Sequence, residues 1–318
     1  MATDEYSLSS ILHKLQDPIP QYVLGCFPAI ATIGASPNDY LLQKLLWMAR
    51  CLACPFLGLF YTCNIANDEK ALYWLPKICF IGEDGSEIPY RPFGHRAMSI
   101  DSSAVSEKLE ACIANSSVLE RLSSLLSVFF ILLGAFAGIS MVVRWDLCED
   151  WPYIPVALSW TLPAIAVRIS NGRMLVKDPK KKIGDEKIKV KQFDNDKAKK
   201  HKSKRVVITA FASIVFPWIS VIMAYFSPPI GFFCRSKYLT IFCTIWSFNN
   251  IIAYIHHWVE EKNKIVDRII RIWFSVSGIV VGILLLVLAV LSDDRSWWAT
   301  MSSLYYLKPF SVKMLKSR

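Results

Sequence analysis

The apolar stretch 239–258 carries an unusual number of polar side chains for a segment that should avoid water. If it is helical, most of these side chains share one face at spacings of three and four residues, whereas Asn249 and His256 lie on the opposite side. The candidate polar face comprises Thr244, Ser247, Asn249, Asn250, Tyr254, His256 and His257. Polar groups in an apolar medium must find partners, so this helix should be central. They could join helices by hydrogen bonds or line a path for a ligand.

Two groups contain residue types that bind metals. His256 and Glu260 are four residues apart and could share a helix face, as metal ligands do. Cys51 and Cys54 form a CxxC pair inside an apolar segment. The chain has only five His, and no second Cys pair accompanies the first. We therefore expect no metal, redox or other cofactor site. Ordinary packing explains the two cysteines, and an interfacial polar cap at the end of a span explains His256 and Glu260.

No catalytic motif is visible. The sequence has no GxSxG, P-loop, Rossmann glycine pattern or HExxH. The five clearest apolar runs hold no Asp or Glu, which argues against an ion-coupled carrier with a buried carboxylate and against an aspartyl protease. Arg50 is the candidate buried charge; the alternative is an Arg whose stem lies along apolar surface while its head reaches water. We therefore do not expect an enzyme.

The candidate residues described above lie in or beside long apolar runs, and the helices that these runs form must position them. Hydrophobic residues make up 53% of the 318-residue chain, and the mean hydropathy is +0.35. The five clearest runs approach the roughly 20 residues that cross a bilayer as a helix; they are 122–143, 153–169, 206–226, 239–258 and 272–291. Segments 20–36 and 40–63 resemble a helical hairpin in or on the membrane. The sequence predicts an all-α, polytopic transmembrane helix bundle of about seven spans.

The charge of the chain is concentrated in one segment. Residues 168–205 hold fifteen Lys/Arg and five Asp/Glu, so their net charge of +10 equals that of the whole protein. Basic loops stay in the cytosol, which predicts a cytosolic loop 170–205, with the amino end inside and the carboxyl end outside. Charge confined to a loop does not indicate nucleic-acid binding. Candidate anionic-lipid contacts are Lys180, Lys181, Lys182, Lys199, Lys200, Lys202, Lys204 and Arg205; the alternative is that they are solvated and only set topology.

Four regions follow from this pattern. Residues 1–63 form the tail and helical hairpin, 64–121 a cytosolic insert, 122–291 the bundle with its basic loop, and 292–318 an aromatic and basic tail. In the insert we expect a turn at 82–85 between two extended segments, and a helix from 102 that continues into the span at 122. The expected location is the plasma membrane or an endomembrane, with the lipid bilayer as partner.

Two further patterns concern contacts between spans. Cys148 and Cys234 fall in predicted external loops, so they are a candidate disulfide if that compartment is oxidising. Gly134 and Gly138, and likewise Gly278 and Gly282, lie four apart inside spans, which allows close helix approach. We expect this packing to be internal, and the sequence leaves the oligomeric state open.

Short motifs in residues 151–298 resemble those of a known group. They are Trp160-Thr161-Leu162-Pro163, Lys177-Asp178-Pro179, Phe216-Pro217-Trp218, Ser227-Pro228-Pro229-Ile230-Gly231, Cys234-Arg235-Ser236, Ile245-Trp246-Ser247-Phe248-Asn249 and Arg295-Ser296-Trp297-Trp298. This part of the chain resembles fungal multi-pass membrane proteins with no assigned activity. The resemblance implies a location and an architecture only.

The functional expectation is passage or sensing of a small solute or lipid through the bundle. The alternative is a non-catalytic membrane scaffold that binds anionic lipid or partner proteins through the loop 170–205. A membrane enzyme ranks third because no motif supports one.

Overall fold

Helices dominate the computed structural model, which describes residues 29, 40–65, 80–81, 98–100, 110–111, 113–143, 153–175, 188–192, 195–227, 231–232, 234–258 and 264–291. The principal helices are α1 (Leu41–Ala53), α2 (Pro55–Phe60), α3 (Val118–Val143), α4 (Tyr153–Ala157), α5 (Leu162–Asn171), α6 (Asn195–Phe226), α7 (Cys234–Trp258) and α8 (Lys264–Leu291). A π turn, Tyr61–Ile65, follows α2, and a 3₁₀ turn, Leu158–Thr161, joins α4 to α5.

Among the described residues, four helices are long and apolar enough to cross a membrane, namely Val118–Ser140, Val206–Phe226, Ser236–His257 and Ile265–Val287. The count becomes five if α1 and α2 form one span, although the helix axis turns by 111° between them. The prediction of a helical, multi-span chain is therefore confirmed in this coarser form. The four or five candidate spans are fewer than the seven that the sequence predicted. Of the predicted segment 20–36, only residue 29 belongs to the described residues.

The predicted span 153–169 is an interrupted element rather than one long helix. Its apolar helical part, Pro155–Ser170, is shorter than the four long helices, and Pro163 lies in the first turn of α5, directly after the 3₁₀ turn. Both α4 and α5 pack on α3. A strand pair then places Arg173 beside Asn115, just ahead of α3. The element thus returns the chain to the level at which α3 begins.

Within the described residues, five short strands accompany the helices. They are β1 (Phe80–Ile81), β2 (Met98–Ile100), β3 (Ile113–Asn115), β4 (Arg173–Leu175) and β5 (Ile188–Gln192). Strand β5 lies between β1, which is parallel to it, and β2, which is antiparallel, while β3 pairs antiparallel with β4. The strands of the insert 64–121 thus pair with strands of the basic segment 168–205. These two regions must lie on the same side of the bundle.

The start of α3 also differs from the prediction. We expected a helix from 102 into the span, but strand β3 interrupts it and α3 begins at Val118. Ser117 and Glu120 form a reciprocal capping box: the Ser117 amide donates to the Glu120 carboxylate at 2.7 Å, and the Glu120 amide donates to the Ser117 hydroxyl at 3.2 Å. These bonds satisfy amides that a helix start leaves free.

The main core lies where α1 and α2 meet α6, α7 and α8. Its largest fully buried side chains include Phe56, Phe60, Trp160, Trp246 and Phe274. Apolar side chains also cover the outer faces of the long helices, as expected for surfaces in contact with lipid. Gly278 of α8 lies against the backbone of Ala49, so the second glycine pair packs within the chain as predicted.

Candidate functional site at a broken helix

The most unusual backbone feature is the break between α1 and α2. Cys54 is extended, with φ −131° and ψ 91°, and Pro55 begins α2. A proline disfavours helical geometry in the residue before it and has no amide hydrogen to continue the helix. The sequence therefore ends α1 at this point. All residues from Cys51 to Tyr61 are buried, so the break lies inside the bundle.

Side chains of α7 bind the backbone groups that the break leaves without helical partners. The indole of Trp246 donates to the Leu52 carbonyl at 2.7 Å, and the Asn249 amide donates to the Ala53 carbonyl at 2.8 Å. On the other side of the break, the Phe56 amide donates to Asn250 Oδ1 at 3.1 Å. Buried backbone groups need such partners, which explains why this irregular backbone is stable.

Asn250 also contacts a second proline interruption. Pro217 lies inside α6 and has no amide hydrogen to donate to Ser213, four residues earlier. Asn250 Nδ2 donates to this Ser213 carbonyl at 3.3 Å. The Cys54 thiol lies 3.3 Å from Asn250 Oδ1, in position to donate to it. One amide side chain therefore links the two places where proline removes a helical hydrogen bond.

Asn249 joins α7 to α8 as well as to α1. Its Nδ2 donates to the Ser277 hydroxyl at 3.2 Å, in addition to the Ala53 carbonyl. Its Oδ1 accepts a hydrogen bond from the Trp273 indole at 2.8 Å. Both asparagines are buried, 0% and 1% exposed. The prediction that they bond to neighbouring segments is confirmed, whereas a role in binding or passage stays a prediction.

The rest of the predicted polar face divides between interior and exterior. The Ser247 hydroxyl accepts a hydrogen bond from the Trp218 indole at 3.0 Å, and the Tyr254 ring lies 6.4 Å from that of Phe56. Thr244 instead lies on the exposed side of α7. Its hydroxyl donates to the Thr240 carbonyl of its own helix at 2.7 Å. Placing Thr244 in the interior was wrong because a threonine can satisfy its hydroxyl locally.

At the other end of this face, His256 pairs with Asp267, an acidic residue that precedes the apolar run 272–291. His256 Nε2 lies 2.8 Å from Asp267 Oδ1, and both side chains are buried. Asp267 lies in the first turn of α8, inside the candidate span, because the helix begins eight residues earlier than the apolar run. His257 is also buried. Within the described residues, no group of three or more potential metal ligands occurs.

Arg50 lies in the last turn of α1 and is partly buried. Its Nε donates to the Ser275 hydroxyl of α8 at 2.8 Å, and Ser275 in turn donates to the Arg271 carbonyl. Cys51 and Cys54 are both free thiols in the buried core next to the break. The charged side chain and the thiols thus lie on the same short segment as the broken backbone.

Several predicted site residues cannot be placed. Lys180, Lys181, Lys182 and Cys148 lie outside the described residues. For Lys199, Lys200, Lys202, Lys204, Arg205 and Cys234 the helical backbone is described but the side chains are not. Lipid contacts and a disulfide at these positions therefore stay predictions.

The break was missed by sequence reasoning, although two prolines signalled it. Pro55 interrupts the apolar stretch 40–63, and Pro217 divides an otherwise regular span. Both were visible, but their significance depends on Asn250, which lies far away in the sequence.

Comparison of this chain with protein-family models, curated proteins and solved structures found no match.

Proposed function

We propose that this chain is an integral membrane protein that passes or senses a small solute or lipid at the break between α1 and α2. The observation that carries the proposal is the buried non-helical backbone at Cys54, held by side chains of α7. Irregular backbone at membrane depth occurs where it is buried in protein or lines a cavity. In transporters, the ends of broken helices commonly contact substrates and ions.

The backbone groups at the break can form hydrogen bonds with a solute or lipid. Two carbonyls, from Leu52 and Ala53, and the Phe56 amide are bound by side chains instead of by helical backbone. Rotation of the two asparagine side chains would free the Ala53 carbonyl and the Phe56 amide for a ligand without unfolding a helix. In this account Asn249 and Asn250 form the gate of the site, and Arg50 lies one turn before the break.

Access to Cys54 tests the proposal. Two single-cysteine proteins would be prepared, one retaining Cys54 and the other Cys243, which is equally buried on α7. Sealed vesicles of both orientations would be treated with a membrane-impermeant maleimide. Passage predicts that Cys54 becomes modified, because the break opens to water, while Cys243 stays at background. A Cys54 thiol that is never modified, or equal modification at both positions, would contradict passage.

A scaffold that binds anionic lipid or partner proteins through loop 170–205 is the second candidate. The observation that favours it is the backbone of α6, which begins at Asn195 and continues without interruption into the candidate span at Val206. The lysine-rich segment 195–205 is thus a helical extension next to a span end, where each basic residue gains about 1 kcal/mol from anionic lipid. Neutralising Lys199, Lys200, Lys202 and Lys204 should then abolish the preference for anionic lipid.

The location of the protein is part of the same proposal. The basic loop 170–205 is proposed to be cytosolic, in a plasma membrane or endomembrane, and the paired insert strands would share its side. The resemblance to fungal multi-pass membrane proteins agrees with this location and adds no activity.

A further inference from the structure

We propose that Trp47, Tyr61, Trp160 and Thr161 form a subsite that binds an uncharged oxygen atom of a neutral lipid or small solute. Each of these side chains is at least nine-tenths buried. Each has a polar atom, Nε1 in the tryptophans and the hydroxyl oxygen in the other two, that makes no hydrogen bond to any described residue. Buried polar atoms are nearly always paired, so four such atoms in one region indicate a partner from outside the chain.

The four residues come from two helix interruptions that lie side by side. Trp47 and Tyr61 lie on opposite sides of the break, with ring centroids 4.9 Å apart. Trp160 and Thr161 belong to the 3₁₀ turn between α4 and α5. The π turn that begins at Tyr61 packs on α5, which begins directly after Thr161.

Trp246 connects the same two interruptions. Its indole donates to the Leu52 carbonyl at 2.7 Å, and its ring centroid lies 5.9 Å from that of Trp160. One aromatic side chain of α7 thus contacts both places where the backbone leaves regular α-helix. The subsite and the break therefore share this contact.

The donor set defines the class of ligand. An indole N–H can only donate a hydrogen bond, while the hydroxyls of Tyr61 and Thr161 can donate or accept. The four side chains carry no formal charge. The ligand should therefore present an uncharged acceptor such as a hydroxyl, ester or amide oxygen. A neutral lipid and a small polar solute both offer this chemistry.

This inference rests on the proposed function, since it names the ligand of the same site. The test uses the full-length protein in detergent and measures the midpoint temperature of unfolding with added dioleoylglycerol or with added glycerol. A ligand that binds only the folded state raises this temperature. Thr161→Val and Tyr61→Phe remove one hydroxyl each with little change in shape. Thr244→Val makes the same change on the exposed side of α7 and is the matched control.

We expect one of the two additives to raise the unfolding temperature of the unmodified protein and of Thr244→Val, with the rise lost in Thr161→Val and Tyr61→Phe. A variant-dependent rise with dioleoylglycerol assigns the oxygen to a neutral lipid, and one with glycerol to a small solute. Glycerol also stabilises folded proteins by exclusion from their surface, but that rise is equal in every variant. The absence of any variant-dependent rise would overturn the subsite.

A second measurement is the unfolding temperature without additive, which tests the inference even if a variant fails to respond to ligand because it folds poorly. Without additive, Thr161→Val should unfold at the same temperature as the unmodified protein or higher, because the hydroxyl it removes has no partner to lose. A marked fall would show that Thr161 already has a partner in the protein and would also overturn the inference. Cys54 modification reports on passage alone, so a failed subsite and a failed passage mechanism give different results.

Discussion

Replacing Asn250 by Leu tests whether one amide side chain holds two proline interruptions. The change leaves the Phe56 amide and the Ser213 carbonyl without the partners they have at 3.1 and 3.3 Å. Side-chain hydrogen bonds in membrane proteins contribute about 0.6–2 kcal/mol each, so the loss of these two bonds to backbone groups should by itself destabilise the protein by roughly 1–4 kcal/mol. Thr244→Leu, on the exposed side of the same helix, should change stability by no more than about 0.5 kcal/mol.

The mechanism is tested by a double-mutant cycle with Pro217→Ala. Alanine at 217 supplies an amide hydrogen that can donate to the Ser213 carbonyl, as in an uninterrupted helix. Asn250→Leu should therefore cost less in the Pro217→Ala background, by about 0.5 kcal/mol or more. The assay is the free energy of unfolding of all four proteins in one detergent. Equal costs in both backgrounds would refute the idea that Asn250 replaces the bond that Pro217 removes.

The same substitution separates the two roles left open for the polar face. If Asn250 only joins helices, the Leu variant should be less stable, but its folded form should keep the Cys54 labelling rate of the unmodified protein. If Asn250 gates the break, the folded variant should also alter the modification of Cys54 by the impermeant maleimide. The measurement compares labelling rates of correctly folded protein, so lost stability alone does not mimic the second result.

Two further predictions concern packing and topology. Gly278→Ala should destabilise the protein by about 1–3 kcal/mol or more, because the added methyl would overlap the Ala49 carbonyl of α1; Gly282→Ala, whose methyl would meet only a Leu52 methyl at 3.8 Å, is the matched control in the same unfolding assay. A cysteine at Asn195 should resist an impermeant thiol reagent on intact cells, because the basic segment is predicted to be cytosolic; modification would contradict that topology.

The helices that could cross the membrane were largely predictable because apolar length is a local property. The segments around 122–143, 206–226 and 239–258 were found from composition alone, with ends within a few residues. The interior position of Asn249 and Asn250 also followed, since helical periodicity puts polar groups on both sides of α7. The apolar run 272–291 leaves Asp267 outside the predicted span. In the structure helix α8 begins earlier, at Lys264, so Asp267 lies in its polar first turn.

The features that define the candidate site depend on distant residues. Strand β5 pairs with β1 over a separation of about a hundred residues, and no local pattern in either strand specifies that partner. Pro55 signals an interruption, but contacts with Trp246, Asn249 and Asn250 of α7 are what make a buried break tolerable. Periodicity alone also misplaced Thr244, because a hydroxyl bonded to its own helix can face outward.

Cross-linking Cys54 to a cysteine at position 250 tests the contact at the centre of this account most directly. The Cys54 sulfur lies 3.3 Å from Asn250 Oδ1, so Asn250→Cys should bring two sulfurs within reach of a disulfide. With Cys51 replaced by Ala to leave one acceptor thiol, mild oxidation should give a linked 54–250 peptide in mass spectrometry. Thr244→Cys, on the exposed side, should give none. No linked peptide from Asn250→Cys, or equal linkage from Thr244→Cys, would contradict the proposal that α7 holds the broken helix.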